Sequence, residues 1–249
     1  MRIRALGALA IAALLTATIG CGAGGFLRPY EYEEEMYLSL DGSATVYVNS
    51  SLAALDALRG TSFETGSRAR IDRDEVARYF ETPVTHVSGR IGTSRRSNRQ
   101  YVHVRVDVPD VRRLHEAAPF AWSTYRLTRD SSLYRYTQQV GAPASRASSA
   151  AGWDGREVVA FRLHLPSKIT YHNTGTSPRR GNILVWEQPL ADRLRGVPLT
   201  LEARMETQSI LYRTLWLFGA TFVAVAVSFG LLLWWILRHG AREQANLKV

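Results

Sequence analysis

Apolar and polar residues alternate one by one through much of residues 30–206, which predicts strands with one buried face. In Tyr101 to Val108, Val102, Val104, Val106 and Val108 share one side, while His103, Arg105 and Asp107 take the other. Glu157 to Leu165 turns Val159, Phe161, Leu163 and Leu165 inward, and Val197 to Met205 repeats the pattern. The same reading predicts strands at Glu34 to Leu40, Ala44 to Val48, Val84 to Ile91, Trp122 to Thr128, Leu133 to Val140, Lys168 to His172 and Asn182 to Glu187. Asp41-Gly42 marks a hairpin turn between the first two. Three stretches switch to helical spacing: Ser51 to Arg59, Asp72 to Phe80 with Asp72 as cap, and Asp110 to Ala118 between Pro109 and Pro119. Strands outnumber helices and do not alternate with them, so the expected fold class is α+β, a mostly antiparallel, curved sheet with a few short helices on its apolar face.

The two ends break this pattern. Residues 1–20 place Arg2 and Arg4 before an apolar run too short to span a bilayer and finish in small residues, the layout of a secretory signal peptide. Near the other end, Thr214 to Leu237 runs without a charge, about 36 Å of helix at 1.5 Å per residue, enough to cross a ~30 Å hydrocarbon core. Tyr212 and Trp216 mark one interface and Trp234 and Trp235 the other, as amphipathic rings do at headgroup depth. A transmembrane helix over 213–238 and a cytoplasmic tail at 239–249 are expected, the tail carrying Arg238, Arg242 and Lys248 against Glu243. That leaves 21–212 as the extracytoplasmic domain.

Charge adds less than its total suggests. The chain carries 31 basic and 22 acidic residues, formally +9, but between Cys21 and Tyr212 the excess is only +4. That density does not fit duplex nucleic acid, and no nucleic-acid partner is expected. Cys21 is the one cysteine, which excludes an intramolecular disulfide. The six histidines lack metal-ligand spacing, and there is neither a Gly-x-Ser-x-Gly elbow nor a phosphate-cradling glycine loop. No metal site, cofactor or enzymatic activity is therefore expected.

Candidate binding residues come from charge clusters. Arg90, Arg95, Arg96 and Arg99 crowd one strand connection and Arg179 and Arg180 another; guanidinium groups grip phosphate bidentately, which makes these turns candidate headgroup contacts. Glu31, Glu33, Glu34 and Glu35 read as a solvated strand end, with a divalent-cation site as the alternative. The aromatic set Trp122, Tyr125, Tyr134, Tyr136, Trp153 and Trp186 either fills the core or lines a groove for an acyl chain.

Several blocks carry a resemblance. Tyr37 to Asn49 forms an opening hairpin, Leu165-Pro166 starts a strand followed by Asn173 in a turn, Gly181, Asn182 and Trp186 share a further strand, and alternating leucines lead into the apolar helix. With Thr18-Ile19-Gly20-Cys21 as a candidate lipobox, this layout resembles the LppM-type family of bacterial envelope lipoproteins. The resemblance implies lipidation at Cys21 and recognition of envelope lipid by a membrane-anchored extracytoplasmic domain. Two alternatives stay open: signal-peptidase cleavage beyond Cys21, and an envelope assembly factor that binds a protein partner.

Overall fold

The computed structural model describes residues 30–66, 70–144, 152–175 and 181–246, with side chains described to 236 and at 238. The predicted signal peptide, Cys21, Arg179 and Arg180 lie outside the described residues. Strands β1 (Tyr30–Leu38) and β2 (Ala44–Ser51) form the opening hairpin. Gly42 adopts φ +94° at the turn, and Asp41 accepts from the Ser43 amide and hydroxyl. Helix α1 (Leu52–Arg59) follows without a gap, capped by the Ser51 hydroxyl and stopped by Gly60 in the left-handed region. Helix α2 (Arg73–Phe80) starts where Asp72 accepts from the Asp74 and Glu75 amides.

Of the strand predicted over Val84 to Ile91, only β3 (His86–Val87) forms; the chain turns at Gly89, which has φ +81°, and a further strand, β4 (Gly92–Arg96), starts beyond the predicted range. Strand β5 (Arg99–Val108) is followed by a 3-10 turn at Val111–Glu116 in place of the predicted α-helix. Strands β6 (Ser123–Asp130), β7 (Leu133–Val140), β8 (Val158–His164), β9 (Ser167–His172), β10 (Ile183–Pro189) and β11 (Leu199–Ser209) all lie within a few residues of expectation. A short helix α3 (Leu190–Leu194) was not foreseen; its first turn follows Pro189 and buries Leu190 and Arg193.

Two open sheets result, and the fold is the expected α+β class with one apolar C-terminal helix. The larger sheet orders β10-β8-β1-β2-β5-β3, with β4 also on β5; all of its pairs are antiparallel except β1 with β8. The smaller sheet orders β6-β7-β11-β9. The apolar face of the larger sheet is covered by this second sheet as well as by the helices. Tyr32, Met36, Val46, Val48, Val104, Phe161 and Leu163 from one layer join Tyr125, Tyr136, Leu201 and Met205 from the other in one buried cluster. Side chains of this size each contribute about 1.5–3 kcal/mol when fully buried, so this interlayer supplies most of the favourable free energy of folding.

Helix α4 (Ile210–Asn246) leaves β11 directly, with no intervening loop. The Ile210 amide donates to the Pro166 carbonyl at 3.0 Å, and Arg213 pairs with Glu206 at 2.6 Å. Its segment Ile210–Ile236 has mean hydropathy 2.1 and is wholly unburied by the domain. A helix that is apolar all round and unpacked is long and greasy enough to cross a membrane.

Candidate functional site

Alternation places four carboxylates of β1 in three environments. Glu34 points into the core, although its charge suggested a solvated strand end. Its Oε2 accepts from the Tyr32 hydroxyl at 2.9 Å and pairs with Arg59 at 3.2 Å; its Oε1 accepts from Tyr125 at 3.2 Å and Gln138 at 3.0 Å. Arg59, itself buried, lies 3.7 Å over the Trp122 ring and also donates to Tyr32. Four donors around one carboxylate make this a structural link between the two sheets, with no lone pair left over for a ligand.

Glu31 is buried at one end of the larger sheet. It accepts from Tyr101 at 2.6 Å and from the Trp153 indole at 3.0 Å, and it pairs with Arg99 at 2.9 Å. Arg99 also reaches Glu157 at 3.4 Å and the Gly152 carbonyl at 3.1 Å. This arginine is committed to the fold, and the reading of Arg99 as a headgroup contact is corrected accordingly. Alanine at Arg99 should lower stability by about 2 kcal/mol because it strips a charged partner from buried Glu31. Alanine at exposed Arg95 should stay within about 0.5 kcal/mol; urea midpoints of the two variants check the contrast.

Arg96 is exposed, stacks 4.2 Å from the Tyr101 ring centre and touches the Tyr30 carbonyl at 3.4 Å; Arg90, six residues earlier and ahead of β4, is exposed too. The register shows where this arginine turn sits. The first residue of helix α4, Ile210, is bonded to Pro166, just past His164, and His164 pairs with Tyr37, close to the Ala44 and Val108 end of the sheet. The β4-β5 turn lies at the other end, beyond the Tyr101 and Ser51 pair. The length of β5 separates the two ends, roughly 30 Å at 3.3 Å per residue. The arginine tip therefore points away from the point where the helix departs.

Glu33 and Glu35 face outward on the uncovered side of the larger sheet, where they line an open groove of about 470 Å³ with Tyr37, Asn49, Ser94, Arg96, His103 and Arg162. The register sets Glu33 beside Asn49, Asn49 beside His103, and His103 beside Gly92, one row across four strands. Arg162 pairs with Glu33 at 2.9 Å, and Asn49 Nδ2 donates to Glu33 at 3.0 Å. His103 Nδ1 is 2.9 Å from Asn49 Oδ1, and its Nε2 is 2.8 Å from Ser94 Oγ. Gly92 leaves room for the ring: a β-carbon there would sit 3.2 Å from that of His103. Burial, and then the Arg96 charge, hold the His103 imidazole below its ordinary 6.5. At the near edge of the groove Glu35 bonds His164 at 2.6 Å, which holds its carboxyl below the usual range, and His164 stacks on Tyr37 at 3.9 Å.

The four acidic residues thus do not converge. Among the described residues, no group of three His, Cys, Asp or Glu side chains is placed to hold a metal ion, and the divalent-cation alternative falls with that. The aromatic set fills the core: Tyr125, Tyr136 and Trp186 are buried within it, and Trp122, Tyr134 and Trp153 pack against it. Sequence reading missed the Ser94, His103 and Asn49 row, because those residues come from three strands and only the pairing register joins them.

No family model matches the chain, and no curated protein matches it. In structure the chain is similar to the folded domain of the LppM protein of Mycobacterium tuberculosis, with a TM-score of 0.38 and 13% identity, over 74% of this chain and 94% of that one.

Proposed function

We propose that the protein is a single-pass membrane protein of the cell envelope. In this reading residues 239–249 lie in the cytoplasm, and the folded head stands outside and binds the polar part of an envelope lipid. The observation that carries the reading is helix α4, apolar, unburied and continuous with β11. The filled interlayer supports contact with headgroups rather than enclosure of acyl chains. Arg95 and Arg96, at the end of the head away from the helix, suit anionic groups carried well above the anchoring bilayer, and Arg90 lies part-way along the same edge.

Two measurements test this. In cells, a cysteine placed at Ser131 should react with a membrane-impermeant maleimide, and one at Gln244 only after permeabilisation; the reverse pattern inverts the topology. The full chain reconstituted in zwitterionic vesicles should capture a second population of vesicles containing phosphatidylglycerol. The double variant Arg95→Glu, Arg96→Glu should reduce capture at least tenfold, and undiminished capture rejects the arginine tip. The solid core equally suits a head that binds a protein partner of the envelope, the reading left standing if no vesicle is captured.

A further inference from the structure

We propose that Ser94, His103 and Asn49 form a nucleophile, base and orienting group able to hydrolyse carboxylic esters in the outer groove. This goes beyond lipid binding and stands independently of it, and it departs from the non-enzymatic expectation that the missing serine motifs suggested.

The hydrogen-bond polarity of the row follows from one end. Glu33 forms an ion pair with Arg162, and a carboxylate in such a pair only accepts. It must therefore face the amide nitrogen of Asn49, as the 3.0 Å contact with Nδ2 has it. That turns Asn49 Oδ1 toward His103, and an amide oxygen requires a donor, so the imidazole proton sits on Nδ1. Nε2 is left with a lone pair, and its partner at 2.8 Å is the Ser94 hydroxyl. This is the tautomer a general base needs, with the base held by a third group as in serine and cysteine hydrolases of unrelated folds. Ser94 is exposed on edge strand β4, open to a ligand in the groove. Arg96, two residues on, lines the same groove and brings it a positive charge, which favours a developing oxyanion.

In the reaction, Ser94 Oγ attacks the ester carbonyl carbon while Nε2 of His103 takes the hydroxyl proton. The carbon–oxygen bond to the alcohol breaks, and the alcohol leaves with that proton. Water then attacks the acyl-serine, its proton passes through Nε2 to Ser94 Oγ, and the carboxylic acid is released.

The charged groups facing His103 are Arg96 on β4 and, through Asn49, Glu33 on β1 with Arg162 on β8; Arg105 lies two residues along β5. Burial first, and then the Arg96 charge, depress its titration, so hydrolysis should hold level across neutral pH and fall on the acid side of the ordinary imidazole range.

The test uses the full chain in detergent with a fluorophosphonate probe, peptide mass spectrometry, and p-nitrophenyl butyrate turnover. Ser94 should be labelled in preference to Ser131, and Ser94→Ala should abolish both signals. His103→Gln should slow them about 10²-fold, in keeping with loss of a general base. Asn49→Leu should reduce turnover at least tenfold and move its pH profile. Thermal melts matching the parent protein show that each variant is folded. The proposal is overturned if folded protein is not labelled at Ser94, if Ser94 reacts no faster than Ser131, or if His103→Gln leaves the rate unchanged.

Discussion

Replacing Glu34 with alanine should lower the stability of the head by about 3–5 kcal/mol, because Arg59 is then buried with its charge uncompensated. In a domain of this size that corresponds to a fall in Tm on the order of 10 °C. Tyr32, Tyr125 and Gln138 would also lose their acceptor at the same stroke. The paired replacement Glu34→Leu with Arg59→Met should behave differently. It removes both charges from the interlayer, together with the Nε and Nη1 atoms of Arg59, which have no hydrogen-bond partner. Apolar replacements of buried ion pairs are commonly neutral or stabilising, so the double variant should melt at or above the parent temperature. Thermal melts of the two variants decide the matter; equal losses in both would show that the network contributes net stability.

Raising the pH above 10 should melt the head cooperatively. Burial pushes the Tyr101 phenol up to about 12, with the Glu31 carboxylate adding to the shift. Tyr32, Tyr125 and Tyr136 are raised well above their ordinary 10, by burial first and then by the Glu34 charge. Each phenol stays protonated in the fold and ionises near 10 once unfolded. Their contribution is therefore complete below pH 10 and lost as pH rises toward and through the folded value. At about 1.4 kcal/mol per unit, Tyr101 alone forfeits roughly 3 kcal/mol by pH 12. Tyr32, Tyr125 and Tyr136 add to that loss in the same direction. Tyrosinate absorbance should rise as a step accompanying loss of strand signal, whereas a gradual rise near pH 10 with the fold intact would contradict the burial. Helix α4 depends on its apolar length and not on these buried phenols, so an alkaline carbonate wash should unfold the head and leave the chain in the bilayer.

Much of this architecture was legible from alternation, because a half-buried strand leaves a period-two record. Val102 to Val108 and Val159 to Leu163 sit on the faces that their pattern assigned. Alternation also put Glu34 on the same side as Met36 and Leu38, yet its charge argued for solvent. Its compensation comes from Arg59, Tyr125 and Gln138, at sequence distances of 25, 91 and 104 residues, which no local window contains. Arg99 was misplaced for the same reason: a run of arginines looks uniform until Glu31 and Glu157 are brought under one member of it. The row from Gly92 through His103 and Asn49 to Glu33 leaves no motif, because it exists only as strand register. The helix that ends the chain needed no partner to be recognised, since its apolar length is its own signal.

The direct passage of β11 into helix α4 makes the strand a lever arm. A swivel would need a linker, and there is none, so the tilt of the helix in its bilayer sets the attitude of the whole head. Because β11 is sandwiched between β7 and β9, tension on the C-terminal tail would load both ladders in shear, with many hydrogen bonds sharing the force at once rather than unzipping in turn. The anchor is thereby joined to one of the mechanically strongest places that a sheet can offer.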